Sequence, residues 1–92
     1  MSEPTDREYN AAKRVVAKVA KAVRETSGNP TVRGHLVNAY VDEGYCSFYL
    51  SANYAYLKVR DALEKVEGVR EVGALRDLTV EGVIDVAYPK EK

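Results

Sequence analysis

The chain has 92 residues, of which 46% are hydrophobic and 30% are charged, and its 14 Lys and Arg residues balance its 14 Asp and Glu residues. These values are typical of one small globular domain, which we expect to span residues 1–92 with an ordered core of about residues 5–89. The zero net charge argues against a protein whose whole surface is built for nucleic acid or an anionic membrane.

The first predicted element is an amphipathic helix over about residues 6–26. Thr5 and Glu8 have the spacing of a capping box, in which each side chain binds the backbone N–H of the other residue. Apolar residues then recur at steps of three and four, and Gly28 and Pro30 end the helix. The opposite face is basic. Its candidate contacts with phosphate backbones or anionic lipid headgroups are Arg7, Arg14, Lys18 and Lys21. The ordinary interpretation of such a stripe is a solvated helix face.

A β-hairpin is predicted next, with strands over residues 32–42 and 45–50. Its turn is either a two-residue loop of Glu43 and Gly44 or a type I turn with a bulge at Gly44. We favour the bulge, because glutamate is a poor residue for a positive φ. The two alternatives differ by one residue in register, so they decide whether Tyr40 or Val41 lies on the helix-covered face.

The second strand alternates between two kinds of side chain. Cys46, Phe48 and Leu50 are expected to face the helices. The opposite face then carries the candidate binding residues, which are Tyr45, Ser47 and Tyr49, joined by Tyr40 in one of the two registers. The chain has seven tyrosines, one phenylalanine and no tryptophan. Tyrosine in strands is first of all a good structural residue, but it is also enriched in protein interfaces and can stack on RNA bases. Against RNA, the sheet carries few cations, with Arg33 and Arg76 the main candidates.

The second half of the chain predicts a helix and two strands. The helix covers about residues 52–66, with Ser51 as its cap, and its buried stripe consists of Tyr56, Val59, Leu63 and Val66. A strand follows over residues 69–80, with a candidate interruption near Gly73 or at residues 76–77. Glu81 and Gly82 are expected to form a turn before a last strand over residues 83–88, which Pro89 ends.

The predicted order α-β-β-α-β-β indicates an α+β two-layer sandwich. Both helices should pack on one face of a four-stranded, mainly antiparallel sheet. The other face is then open to water or to a partner.

Catalytic chemistry has little support in the sequence. The single cysteine, Cys46, rules out a disulfide within the chain, and its only histidine partner would be His35. In either hairpin register His35 lies opposite residue 51 or 52, which places it about 17–20 Å along the ribbon from Cys46. We therefore expect no catalytic residues, no metal site and no cofactor. The polar, acidic start and the lack of a long apolar stretch predict a protein without a signal peptide or transmembrane segment, and one that is cytoplasmic.

Three short motifs accompany the predicted order of elements: the Val-Asp-Glu-Gly turn at 41–44, the sequence Val-Glu-Gly-Val-Arg-Glu-Val at 66–72 and the strand end Asp-Leu-Thr-Val at 77–80. Through these motifs, residues 8–80 resemble the BON domain. The chain departs from that pattern at Ser51, where the family usually has glycine, at an insertion over residues 73–77 and in a fourth strand. The resemblance implies an α-β-β-α-β scaffold that binds phospholipid or protein partners in the cell envelope.

The sequence thus predicts a small non-catalytic interaction module. Its surface would be the open sheet face, centred on Tyr45 and Tyr49, or an edge strand, with a protein partner or a second copy of the chain. The alternative is binding of phospholipid or RNA through the basic face of the first helix, and an enzyme is a third, less favoured hypothesis.

Overall fold

The computed structural model describes residues 5–53, 56–74 and 79–86, which contain two helices and four strands. The elements are α1 (Asp6–Ser27), β1 (Arg33–Tyr40), β2 (Tyr45–Ser51), α2 (Tyr56–Glu64), β3 (Val69–Ala74) and β4 (Thr79–Asp85). The strands form one antiparallel sheet in the order β1-β2-β4-β3. The predicted fold class and element order are confirmed.

Helix α1 begins and ends as its sequence predicts. The Thr5 hydroxyl accepts a hydrogen bond from the Glu8 backbone N–H, and the Glu8 carboxylate accepts one from the Thr5 N–H, which completes the capping box. Gly28 takes a left-handed φ of 71° and donates its N–H to the Arg24 carbonyl. The apolar stripe of α1 is buried, and at its centre lie Ala12, Val16, Val19, Ala20 and Val23.

Both helices cover the same face of the sheet. Helix α1 lies mainly over β1, while α2 lies over β3 and β4. Cys46, Phe48 and Leu50 of β2 are buried under them, as their alternation predicts. In α2, Val59 and Leu63 are buried, and the side chain of Tyr56 lies outside the described residues. The apolar core therefore fills one side of the sheet only.

The hairpin register differs from both predicted alternatives. Tyr40 pairs with Tyr45, and Ala39 rather than Tyr40 or Val41 lies opposite Cys46. The reason is a 3-10 turn at Val41–Glu43, after which Gly44 takes a φ of 76°. This loop is longer than either predicted turn, and it lets Glu43 avoid a positive φ while Gly44 alone adopts one. Tyr40 consequently joins Tyr45 on the open face.

A β-bulge in β1 shifts the register a second time. The pairing skips Val37, so that His35 lies opposite Tyr49 instead of residue 51 or 52. Nothing in the local sequence marks this bulge with a glycine. The bulge matters for the surface described below, because it brings His35 beside Tyr49.

Two predicted boundaries in the second half need comment. The predicted start of the second helix is wrong, because Ser51 is the last residue of β2 and does not cap α2, which begins at Tyr56. The strand predicted over residues 69–80 divides close to the candidate interruption at Gly73, because β3 ends at Ala74 and Val80 belongs to β4. Residues 76–77, Tyr88 and Pro89, which also entered these predictions, lie outside the described residues.

Gly82 lies within β4 and not in a turn. A Cβ at this position would lie 3.2 Å from Phe48 Cζ and 3.4 Å from Val69 Cγ1. The glycine therefore makes room for the core side chains of neighbouring strands, which is a common role of glycine inside a sheet. Glycine is common both in turns and at places where neighbouring strands need room, so the sequence alone could not tell these two roles of Gly82 apart.

Candidate binding surface on the open sheet face

The uncovered face of the sheet brings together all four sheet residues predicted for binding. Tyr45, Ser47 and Tyr49 alternate with the buried residues of β2, and Tyr40 lies opposite Tyr45. All four side chains are partly exposed. Since α1 and α2 pack on the other face, no helix of the described residues lies over them.

One end of this face carries a row of stacked groups around Tyr45. The rings of Tyr40 and Tyr45 stack with centroids 4.7 Å apart. The guanidinium carbon of Arg70 in β3 lies 4.9 Å from the Tyr45 ring centroid, and its Nη2 lies 3.3 Å from Asp85 Oδ1. Because β1 and β3 lie on opposite sides of β2, Tyr40 and Arg70 approach Tyr45 from opposite sides. The Tyr45 ring is therefore held on both faces.

The hydroxyl of Tyr45 is also fixed. It donates a hydrogen bond to the Glu43 carboxylate, and this bond, together with partial desolvation and the negative charge of Glu43, raises the pKa of Tyr45. The nearby cation of Arg70 opposes the effect only in part. Tyr45 thus stays neutral at physiological pH and presents a positioned phenol.

A second aromatic row lies further along β2. The rings of His35 and Tyr49 stack with centroids 4.6 Å apart and planes 18° apart. His35 Nε2 lies 3.3 Å from Ser51 Oγ, and Glu81 of β4 lies opposite Tyr49. Tyr49 is four residues from Tyr45, so the two rows are about 13 Å apart along the strand.

Shorter side chains separate the two aromatic rows. Asn38, Ser47 and Val83 are in register across β1, β2 and β4. On the open face these shorter side chains therefore lie between the two aromatic rows, and Arg70 of β3 is opposite Val83 at the end of the same register. Aromatic rings with polar tips beside short polar and apolar side chains are characteristic of the centre of protein interfaces.

The basic residues of α1 form a separate surface. Arg7, Arg14, Lys18 and Lys21 are all exposed, and none of them has an ion pair within residues 5–53, 56–74 and 79–86. Arg24 differs, because it donates from Nη1 to the Val32 carbonyl over 3.0 Å. The structure therefore does not bring the predicted cations together with the predicted tyrosines, since helix and open face belong to opposite sides of the molecule.

Cys46 and His35 do not form a catalytic pair. The corrected register shortens their separation along the ribbon to about three residues, or about 10 Å. Cys46, however, is fully buried under the helices, whereas His35 is exposed on the open face. Burial raises the pKa of the Cys46 thiol to about 11. Within the described residues no group of three His, Cys, Asp or Glu side chains could hold a metal ion.

The residues of this surface that were not predicted include His35, Arg70 and Asp85. His35 could not be placed because the bulge at Val37 has no sequence signal. Arg70 and Asp85 belong to the predicted strands, and their contact with Tyr45 depends on β3 and β4 lying side by side. Strand order of this kind is not determined by local patterns. Arg76, one of the two cations predicted for the sheet, lies outside the described residues.

No family model, curated protein or solved structure matches this chain. The resemblance to the BON domain therefore stays a prediction. Among the described helices, neither α1 nor α2 is long and apolar enough to cross a membrane.

Proposed function

We propose that this chain is a small non-catalytic module that binds a protein partner through the open face of its sheet. The observation that carries the proposal is the pair of aromatic rows around Tyr45 and Tyr49 on a face that neither helix covers. A partner that covered these rows would bury apolar ring area while the tyrosine hydroxyls kept hydrogen bonds at the rim.

A protein partner fits this face better than RNA. Base stacking needs open ring faces and nearby cations that neutralise phosphates. The rings are already stacked on one another, and Arg70 occupies the second side of Tyr45. Arg70 is also paired with Asp85, and Glu81 adds a further negative charge to the same face.

The non-catalytic part of the proposal is supported by the state of the thiol. A catalytic cysteine acts as a thiolate in a partly exposed, electropositive site. Cys46 is instead buried among apolar side chains, and its pKa of about 11 keeps it protonated at neutral pH.

The test is quantitative affinity capture from the native host with three forms of the chain: wild type, the double variant Tyr45→Ser/Tyr49→Ser and the control Leu57→Ser. Leu57 is 60% exposed on α2, so it controls for loss of a surface hydrophobic group away from the open face. We expect proteins that are captured by the wild type and by Leu57→Ser to be lost from the double variant.

Circular dichroism of the same three proteins makes the result interpretable. The proposal requires the double variant to keep a cooperative thermal transition. Global unfolding would show that the tyrosines serve the fold, and identical capture by all three proteins would show that the open face is not the binding surface.

A second candidate function is binding to an anionic surface through α1. The observation that favours it is the set of exposed cations without an ion pair in the described part of the chain, Arg14, Lys18 and Lys21. Binding to phosphatidylserine vesicles or to single-stranded RNA should weaken steeply with salt and with the change Lys18→Glu/Lys21→Glu. The matched change Lys58→Glu/Lys65→Glu, at exposed residues in α2 and directly after it, should have a smaller effect. Absent or salt-insensitive binding would exclude this function.

A homodimer is the last part of the proposal. The sheet ends at β1, whose outer edge has no neighbouring strand among the described elements. Such an edge readily accepts a further strand.

A further inference from the structure

The outer edge of β1 has no neighbouring strand among the described elements. Natural proteins commonly block an edge with lysine or proline, and β1 contains neither. Val37 lies in the middle of β1, and this residue is 58% exposed although its side chain is apolar. The strand does carry one common protective device, the bulge at Val37, and the geometry of that bulge turns out to favour one particular partner.

The two faces of β1 are arranged symmetrically about the peptide bond between Val37 and Asn38. The residues opposite buried positions of β2, and therefore on the helix-covered face, are Gly34, Leu36 and Ala39. The residues opposite partly exposed positions of β2, and therefore on the open face, are Arg33, His35, Asn38 and Tyr40. Val37 is the extra residue of the bulge, and its exposure places it off the core. Counting outwards from that bond in either direction, residues at equal distances therefore have side chains on the same face of the sheet.

This symmetry has a consequence for pairing with a second copy. Consider a regular strand that pairs antiparallel with a second copy of itself, with the symmetry axis at a peptide bond. Each residue would then lie opposite a residue whose side chain belongs to the other face of the sheet, because side chains alternate. The bulge removes this conflict. If two β1 strands pair about the bond between Val37 and Asn38, then Leu36 faces Ala39 of the second copy on the helix side. On the open side, His35 faces Tyr40 of the second copy.

The side chains at these positions are complementary. His35 and Tyr40 are the outer members of the two aromatic rows on each copy. The pairing would join Tyr49 and His35 of one copy to Tyr40 and Tyr45 of the other in one continuous aromatic row. The symmetry of the dimer would produce this row twice. Aromatic cross-strand pairs are among the side-chain pairs that stabilise sheets.

The charges agree with the same register. Strand β1 ends at Tyr40, so Arg33 would lie beside the 3-10 turn of the second copy, which carries Asp42, again twice by symmetry. Both residues are exposed, and neither has an ion pair within the described ranges. The chain also has a net charge of zero, so two copies do not repel each other over long range.

We infer that this chain forms a symmetric dimer in which two β1 strands pair antiparallel about the bond between Val37 and Asn38, giving a continuous eight-stranded sheet. The inference rests on the proposed protein-binding function and names a second copy of the chain as the partner of this edge. The open faces of both copies then lie on one side of the assembly and remain available to another protein.

The experiment is sedimentation velocity and equilibrium on the purified full chain over a concentration series. We expect a monomer–dimer equilibrium with no larger species. Val37→Lys should give a monomer, because it places two ammonium groups beside each other at the symmetry axis. Leu57→Lys, which changes an equally exposed apolar residue on α2, should still dimerise.

A charge swap tests the register itself. Arg33→Asp and Asp42→Arg should each raise the dimer dissociation constant by about tenfold, since each places like charges near each other at both ends of the paired strands. The double variant Arg33→Asp/Asp42→Arg should restore the wild-type constant. Restoration cannot arise from a general loss of stability, and circular dichroism of every variant provides the check on folding.

The outcomes separate this inference from the proposed function. A monomeric wild type, a dimer that tolerates Val37→Lys, or a double variant that fails to recover would overturn the dimer, even where protein capture still depends on Tyr45 and Tyr49. A dimer whose capture of other proteins is unaffected by Tyr45→Ser/Tyr49→Ser would overturn the open-face function and support the dimer.

Discussion

Replacement of Gly34 by alanine tests the way in which α1 is fixed on the sheet. An added Cβ would lie 2.9 Å from Val16 Cγ1, 3.1 Å from Ala20 Cβ and 3.2 Å from the Val16 carbonyl oxygen. These contacts are too close, and the last of them involves helix backbone. Helix α1 or strand β1 must therefore shift to admit a single methyl group.

The size of the effect follows from two opposing terms. Overpacking of a core usually costs about 1–3 kcal/mol. Replacing glycine by alanine returns about 0.4–1 kcal/mol, because it restricts the unfolded chain. We expect Gly34→Ala to lower the free energy of unfolding by about 1–2 kcal/mol, equivalent to a fall in Tm of about 5–15 °C for a domain of this size.

Gly73→Ala is the matched control. It also lies in a strand of the same sheet, but its added Cβ would meet only the Glu81 side chain, at 3.7 Å from Oε1 and 3.9 Å from Cγ. This variant should be as stable as the wild type or slightly more stable. Urea denaturation followed by circular dichroism, at one fixed protein concentration because of the proposed dimer, measures both. If Gly34→Ala is as stable as Gly73→Ala, the close approach of α1 to β1 is refuted.

Three further predictions concern the core, the helix cap and the thiol. Phe48→Ala should lower the free energy of unfolding by about 3–5 kcal/mol, since Phe48 is 1% exposed, while Leu57→Ala should change it by less than about 0.5 kcal/mol in the same urea assay. Thr5→Ala should cost about 1 kcal/mol through loss of the cap, measured by thermal unfolding against the wild type. Cys46 has a folded pKa of about 11 against an ordinary value of 9.0, so the folded state retains the thiol proton more strongly than the unfolded chain. Its contribution to stability is therefore fully present below pH 9 and is lost as the pH rises through 11. Between pH 8 and pH 11 the wild type should lose up to about 2–3 kcal/mol more than Cys46→Ala in urea denaturation, and equal losses would contradict the burial of the thiol.

The sequence was sufficient for the elements whose signals are local. The capping box at Thr5 and Glu8, the left-handed Gly28 and the alternation along β2 depend on residues a few positions apart, and the structure confirms all three. The fold class follows from the order of these elements. The division of β2 into a buried face and a face with Tyr45, Ser47 and Tyr49 follows from the same alternation.

The register and the composition of the open face needed the structure. The 3-10 turn at Val41–Glu43 and the bulge at Val37 each move the pairing of β1, and neither has a distinctive residue pattern. Together they place Tyr40 and His35 on the open face. Gly82 was misassigned to a turn, because the need for glycine there comes from Phe48 and Val69, which are distant in sequence but close in the fold. The contact of Arg70 with Tyr45 likewise depends on the order of strands in the sheet.

The most direct measurement of the central claim is an amide chemical-shift map. The isotopically labelled chain is titrated with the protein that affinity capture recovers, and the backbone signals are followed residue by residue. The account predicts that shifts concentrate on β2 and its neighbours, at Tyr45, Ser47, Tyr49 and Val83, while the exposed residues of α1 and α2 stay unchanged. Shifts that concentrate on Arg14, Lys18 and Lys21 and spare the open face would contradict it.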